Sequence, residues 1–163
     1  MTRQLLATVS LLIIATATTS SAFAFKGKFP GTGRRGLWEK STHTFDEGVA
    51  AARAKNYTRS EQLYREAIKQ YPYDPDYYLN LGVALSHQNR WNEAEPVLKK
   101  AVSMNAKDFA PVGEYAAVLL ELHKYNLAKQ YLDRAAKLPK TKAEEQMFQS
   151  NLNDARMHLR TNK

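Results

Sequence analysis

The sequence predicts an all-α fold in which antiparallel helix pairs stack on one another, as three hairpins followed by one closing helix. Residue types recur with a period of 34 residues, which is typical of stacked helical hairpins. Within each period, apolar residues are spaced by three and four, as on one face of an α-helix. The expected total is seven helices.

Length and composition fit one small globular domain. The chain has 163 residues, a formal net charge of +8, 44% hydrophobic residues and 25% charged residues. A chain with this balance is able to bury a core and is not expected to be disordered. It contains no cysteine, which excludes a disulfide, a thiolate metal site and a cysteine nucleophile.

Residues 1–24 have the pattern of a secretory signal peptide. Arg3 supplies the positive start, an apolar run follows, and residues 22–24 read Ala-Phe-Ala, which is typical of a cleavage site. The apolar run is too short and too rich in threonine for a membrane-spanning helix, which needs about 20 apolar residues. We therefore expect cleavage before Phe25 and no transmembrane span in the mature chain.

Residues 25–40 are rich in glycine and in basic side chains. The glycines and one proline of this segment oppose both helix and strand. The simplest interpretation is a solvated, flexible arm. The alternative is an arm that contacts an anionic surface, because its lysines and arginines lie among aromatic residues.

The repeat is clearest at five aligned positions, which run through residues 41–142 without an insertion or a deletion. These positions are Gly48, Gly82 and Ala116; Tyr57, Trp91 and Tyr125; Ser60, Ala94 and Ala128; Tyr64, Leu98 and Leu132; and Ala67, Ala101 and Ala135. The small residues are expected where two helix backbones approach closely. The large aromatic residues are expected where one helix turns into the next.

This pattern resembles the tetratricopeptide repeat family. The second repeat matches the family pattern best, with Gly82, Trp91 and Ala101 among the matching residues. The repeats that the resemblance implies are 41–74, 75–108 and 109–142. It also implies a right-handed superhelical stack, in which the first helix of each pair lines a concave groove.

Polar residues ahead of the second helices agree with the repeat phase. Thr58, Asn92 and Asn126 stand at one repeat position, where we expect the N-caps of these helices. Glu61 and Glu95 follow the first two by three residues and complete predicted capping boxes.

Asp74 and Asp108 are predicted to cap the first helices of the second and third repeats. After the third repeat, Thr141 and Glu144 form another capping-box pattern. Residues 143–163 are therefore predicted to be a capping helix and tail, which covers the apolar end of the stack.

A tyrosine-rich run at residues 71–78 spans the turn between the first two repeats. Tyr78 falls at a core position of the repeat. Only Tyr73 and Tyr77 are therefore expected to be exposed and available for contacts.

No motif for catalysis or for a cofactor is recognisable. Glycines in the arm loosely echo a dinucleotide-binding pattern, but no strand precedes them. The histidines at positions 43, 87, 123 and 158 are spread along the chain, with no pair at the spacing of metal ligands on one helix. We therefore predict a protein that is not an enzyme and that uses no cofactor and no metal.

The resemblance implies that a ligand lies in the groove of the first helices. The groove positions of the family correspond here to Phe45, Val49, Arg53, Asp76, Leu79, Asn80, Val83, His87, Glu114, Ala117, Leu120 and Glu121. The apolar members predict an apolar floor, and the charged members predict a mixed-charge rim. Family members that clamp a terminal carboxylate use lysine, arginine and asparagine in the groove, and only Asn80 fits that pattern. An acidic tail is therefore not the expected ligand.

The predicted function is that of an exported, non-catalytic scaffold or adaptor, which binds an apolar or amphipathic peptide or helix of another protein in the groove. The periplasm is the expected compartment, with the extracellular space as the alternative. Self-association stays open, as does occupation of the groove by the chain's own arm or capping helix.

The alternative function is electrostatic binding of an anionic envelope polymer, a lipid or nucleic acid, with no specific nucleic acid predicted. It depends on the arm and on basic residues around the third repeat. These residues are Lys124, Lys129, Arg134, Lys137, Lys140 and Lys142.

Overall fold

The structure is a computed structural model that describes residues 32–161, where all the regular elements are α-helices. They are α1 (Thr32–Arg53), α2 (Tyr57–Gln70), α3 (Pro75–His87), α4 (Trp91–Met104), α5 (Phe109–Glu121), α6 (Tyr125–Ala135) and α7 (Lys142–Thr161). The predicted all-α fold is confirmed, with seven helices in this part of the chain. The predicted signal peptide and residues 25–31 of the arm lie outside the described residues.

The helices pair in chain order. α1 packs on α2, α3 on α4 and α5 on α6, and each second helix also packs against the first helix of the next pair. α3 contacts both α1 and α5, so the first helices lie side by side. α7 packs on α5 and α6, where the first helix of a fourth pair would lie. Among the described helices, none combines the length and the apolarity that a membrane crossing requires.

The small residues of the first helices accommodate side chains of the second helices. A Cβ atom on Gly48 would lie 2.6 Å from Cε1 of Tyr64, and one on Gly82 would overlap the Leu98 side chain. The sequence predicts a close approach of two backbones at this position. The structure instead places a large, buried side chain of the partner helix there.

The turn inside each hairpin has the same backbone geometry. Lys55, Asn89 and His123, spaced by 34 residues, have φ values of 60°, 59° and 57°. The next backbone N–H bonds back across the turn, as when N of Arg90 donates to the carbonyl of Leu85 at 3.1 Å. A left-handed residue with this hydrogen bond is the Schellman arrangement that ends an α-helix.

This turn explains why the predicted N-caps Thr58, Asn92 and Asn126 are wrong. The left-handed residue turns the chain early, so each second helix starts at its aromatic residue and the predicted caps lie in the first turn. In α2 the cap is Asn56, whose Oδ1 accepts a hydrogen bond from N of Arg59 at 3.1 Å.

The acids of the predicted capping boxes, Glu61 and Glu95, instead join neighbouring hairpins. Glu61 accepts from Nη1 of Arg90, and Glu95 lies 2.6 Å from Nζ of Lys124, with the same 34-residue relation between the two pairs. Burial opposes the charge of Glu61, but hydrogen bonds from Gln88 and two arginines hold its pKa below the ordinary value. Both acids therefore stabilise the stacking of one repeat on the next.

The remaining predicted caps are confirmed. Oδ1 of Asp74 and Oδ1 of Asp108 each accept from the backbone N–H two residues on, at 2.9 Å and 3.2 Å. Ahead of α7, N of Thr141 donates to Oε2 of Glu144 at 2.7 Å, and N of Glu144 donates to Oγ1 of Thr141 at 3.3 Å. This reciprocal pair is a capping box.

Residues 32–40 form the first part of α1, so the prediction of a flexible arm is wrong for this segment. Gly36 is helical and exposed, and such a glycine costs about 1 kcal/mol relative to alanine. Two interactions offset the cost. Trp38 packs against the core, and Nε of Arg35 lies 3.4 Å from Oε1 of Glu39 one turn later.

Candidate functional site

The predicted site residues lie on the three first helices, α1, α3 and α5. We call the surface at their repeat positions the groove surface. Its buried members are Phe45, Val49, Leu79, Asn80, Val83, Glu114 and Leu120. Its half-buried members are Asp76, His87, Ala117 and Glu121, and Arg53 is exposed in the last turn of α1.

The apolar members of the groove surface are nearly closed to solvent. Phe45 is 3% exposed, and its ring centroid lies 4.9 Å from that of Tyr77 and 5.4 Å from that of Tyr64. Val83 is likewise buried on α3. The accessible part of the groove surface therefore consists mainly of polar side chains.

Tyr77, predicted to be an exposed contact, is buried. Its hydroxyl lies 3.0 Å from Oγ of Ser41, so it joins α3 to α1. The other predicted contact, Tyr73, is 64% exposed. The burial of Tyr77 depends on the neighbouring helix, which the spacing within α3 does not reveal.

His87 packs between repeats. Its ring stacks on Tyr57 with 4.3 Å between centroids and 9° between planes. On α7, His158 stacks on Tyr125 in the same way, at 4.5 Å and 10°. This relation sets the register of α7 as an additional first helix.

Aspartates gather where α3 and α5 begin. Burial raises the pKa of Asp76 to about 6, and the negative charges of Asp74 and Asp108 add to the effect. No positive charge of the described residues is among the groups that act on Asp76. Within residues 32–161, no three histidine, aspartate or glutamate side chains are grouped so that they could hold a metal ion.

Glu114 lies almost fully inside the protein. It is 2% exposed, and its Oε1 atom has no hydrogen-bond partner among the described residues. Burial raises the pKa of its carboxyl to about 7. Asn80 occupies the same position one repeat earlier and is satisfied, because its Nδ2 donates to the carbonyl of Asp76 at 2.9 Å.

Two polar residues at this repeat position are absent from the sequence-predicted site. Asp46, exposed on α1, stands 34 residues before Asn80, so the repeat spacing could have identified it. Asn151 is the corresponding residue of α7, because it precedes His158 by seven residues just as Asn80 precedes His87. Asn151 is buried, and the changed spacing after the third repeat conceals it in the sequence.

Most of the basic residues around the third repeat have partners of their own. Nζ of Lys124 and Nζ of Lys129 each lie 2.6 Å from a carboxylate oxygen. Arg134 and Lys140 donate to backbone carbonyls. These contacts reduce the positive charge available to an external anion.

A second concavity lies outside the predicted site, between α2 and α4 with α3 at its base. Its volume is about 420 Å³. The lining is apolar at the centre and basic at the edge. It consists of Arg65, Ile68, Lys69, Tyr78, Leu81, Pro96, Val97 and Lys100.

Solved structures with the same fold are known from several organisms. The tetratricopeptide domain of Arabidopsis OM64 is 23% identical, covers 72% of this chain and 98% of its own, and has a TM-score of 0.65. The TPR2B domain of yeast Sti1, solved as an Hsp70 complex, is 20% identical, with coverage of 73% and 98% and a TM-score of 0.67. Yersinia enterocolitica SycD, solved with a peptide of the translocator YopD, is 14% identical, with coverage of 77% and 96% and a TM-score of 0.68.

The sequence comparisons concern the repeat itself. The tetratricopeptide repeat model matches residues 45–111, which run from α1 into α5. A comparison with curated protein sequences finds no match. The family match, the 34-residue period and the stacked hairpins agree in phase. The chain belongs to the tetratricopeptide repeat family.

Proposed function

We propose that this chain is an exported, non-catalytic scaffold that holds a peptide segment or a helix of another protein on its groove surface. The observation that carries the proposal is the alignment of α1, α3 and α5, which present one continuous surface. Structures of the same fold hold peptides of other proteins, as the Sti1 and SycD complexes do.

The exposure of the groove surface favours an amphipathic ligand over a purely apolar one. The apolar members Phe45, Leu79 and Val83 are buried, whereas Asp46 and Arg53 are exposed. A ligand with one polar face satisfies these charged side chains, and its apolar face covers what remains accessible of the floor. We expect modest affinity, since three first helices offer a limited contact area.

Export is the second part of the proposal, and it depends on residues 1–24. The basic start, the apolar run and the Ala-Phe-Ala site together favour a cleaved secretory signal. We propose the periplasm as the compartment, with the extracellular space as the alternative. Mass spectrometry of the mature protein should find Phe25 at its N-terminus.

Site-specific photo-crosslinking in the native compartment tests the scaffold proposal. A photo-reactive residue is placed at Asp46 or Arg53, both exposed on the groove surface, and at Ser103, exposed on α4, as the matched control. We expect the two groove positions to crosslink to one segment of one other protein, identified by peptide mapping. The Ser103 position should give no such product.

Equal crosslinking from Ser103 would contradict the placement of the ligand on the groove surface. Crosslinks that map to a second copy of this chain would replace the scaffold proposal by self-association. Both outcomes leave the assignment of the fold intact.

A further inference from the structure

Acidic side chains converge on the half of the groove surface where α3 and α5 begin. Asp76 is close enough to Asp74 and Asp108 for their charges to affect its ionisation. Burial raises the pKa of the Tyr77 hydroxyl, and the charges of Asp74 and Asp46 raise it further. These effects connect acids of α1, α3 and the start of α5 in one negative area.

This negative area lies in a protein whose formal net charge is +8. No basic residue of the described chain lowers the pKa of Asp76 or Glu114. Arg53, an exposed base of the groove surface, lies in the last turn of α1. The local charge is therefore opposite to that of the whole chain.

Glu114 supplies an independent indication of a ligand. An enclosed carboxylate oxygen without a hydrogen bond costs roughly 1–3 kcal/mol, and more when the group is charged. Oε1 of Glu114 is such an atom among the described residues, on a side chain that is 2% exposed. Folded repeats normally satisfy this position, as Asn80 is satisfied one repeat earlier. An N–H donor brought by a ligand would remove the cost at Glu114.

We propose that the groove surface selects a basic amphipathic segment of another protein, whose lysine or arginine side chain reaches Glu114 and the aspartates beside it. This inference rests on the proposed function, because it specifies the ligand of the same surface. It excludes acidic segments, which would meet like charges.

The chemistry of lysine and arginine fits both features of the surface. Their long aliphatic stems pack along apolar side chains while the charged end continues to a polar group. Their N–H groups make charge-assisted hydrogen bonds to carboxylates, which are stronger than bonds between neutral groups. Half-buried Ala117 on α5 lies one helical turn from Glu114, where such a stem passes without obstruction.

The test uses the full chain and three synthetic peptides with the same apolar face. Their polar faces carry lysine, glutamine or glutamate at identical positions. Fluorescence anisotropy at low salt should show the lysine peptide binding at least about tenfold more tightly than the glutamate peptide, with glutamine between them. Added salt should weaken binding of the lysine peptide most.

A charge-removing variant locates the effect. Glu114→Gln should reduce the affinity for the lysine peptide about tenfold, and leave the glutamine peptide nearly unchanged. Glu66→Gln, which neutralises an exposed acid of α2, is the matched control and should change neither. Circular dichroism of each variant confirms that the helices persist.

Equal or tighter binding of the glutamate peptide, or an unchanged lysine-peptide affinity in Glu114→Gln, would overturn the inference. If all three peptides bind equally, the inference fails while the proposed function stands. If none binds and the groove positions capture no partner by crosslinking, both fail.

Two outcomes would assign the acidic surface to a different occupant and overturn the proposal of a separate partner. Replacement of Lys26 and Lys28 by glutamine could tighten binding of the lysine peptide, which would identify the chain's own basic segment as the occupant. Sedimentation could instead reveal a dimer that Glu114→Gln dissociates, which would identify a second copy.

Discussion

Glu114 illustrates how one buried carboxyl couples stability to pH. Its pKa in the folded protein is about 7, against an ordinary value of 4.5. Between these values, the folded chain holds a proton that the unfolded chain has released. The free energy of unfolding therefore falls as the pH rises through this window.

We predict that Glu114→Gln removes this pH dependence. At about pH 5 the variant and the parent should be similarly stable, and at about pH 8 the variant should be more stable by up to about 3 kcal/mol. Urea unfolding at both pH values measures the difference. Asp46→Asn, at the matching repeat position but exposed, is the control. A variant that is less stable than the parent at about pH 8 would contradict the burial of an unpaired carboxyl.

Single residues also show where sequence patterns lose information. Tyr73 and Tyr77 occupy the same short run, yet one is exposed and the other is hydrogen-bonded to Ser41 of a different helix. Similarly, the apolar spacing that marks Phe45 as a groove residue cannot show that Tyr64 and Tyr77 cover its ring. Exposure of an individual side chain depends on neighbours that are distant in sequence.

The individual helices follow their sequence signals except where a left-handed turn precedes them. Spacing predicted every helix of the described chain, and Asp74, Asp108 and Thr141 are caps as expected. The second helices differ, because Asn89 and its counterparts turn the chain before the expected cap. Asn92 consequently makes no cap and lies in the first turn of α4.

Two alanine substitutions test this assignment of caps. Thr141→Ala removes the hydrogen bond to N of Glu144 and should cost about 1 kcal/mol. Asn92→Ala removes no cap and places a better helix former in α4, so stability should be unchanged or slightly higher. Thermal unfolding of both variants gives the comparison. A loss in Asn92→Ala as large as that in Thr141→Ala would contradict the observed start of α4.

The stack as a whole depends on α7 to close its end. Phe148 of α7 is 5% exposed and meets Phe109 of α5 edge to face, with 6.2 Å between ring centroids. Nζ of Lys140 lies 5.1 Å from the centroid of the Phe148 ring. In a repeat protein each unit contacts only its neighbours, so loss of the cap should weaken the nearest hairpin most.

We predict that Phe148→Ala destabilises the protein by about 3–5 kcal/mol, because it removes a buried aromatic ring. Hydrogen exchange should become faster in α5, α6 and α7 and change less in α1 and α2. Met157→Ala, on the same helix but 62% exposed, is the matched control and should have little effect. Uniform acceleration of exchange over all helices would contradict an end-localised role for α7.

The 34-residue period alone was sufficient to establish the family, the helix pairs and their order, because a local pattern of small and large residues sets how each hairpin closes. Packing between hairpins set the character of the groove surface. It buried Phe45 and Val83, left Glu114 without a partner, and brought Asp76 close to Asp74 and Asp108. Burial and charge are sums over neighbours from separate repeats. A pattern within one repeat therefore cannot reveal them.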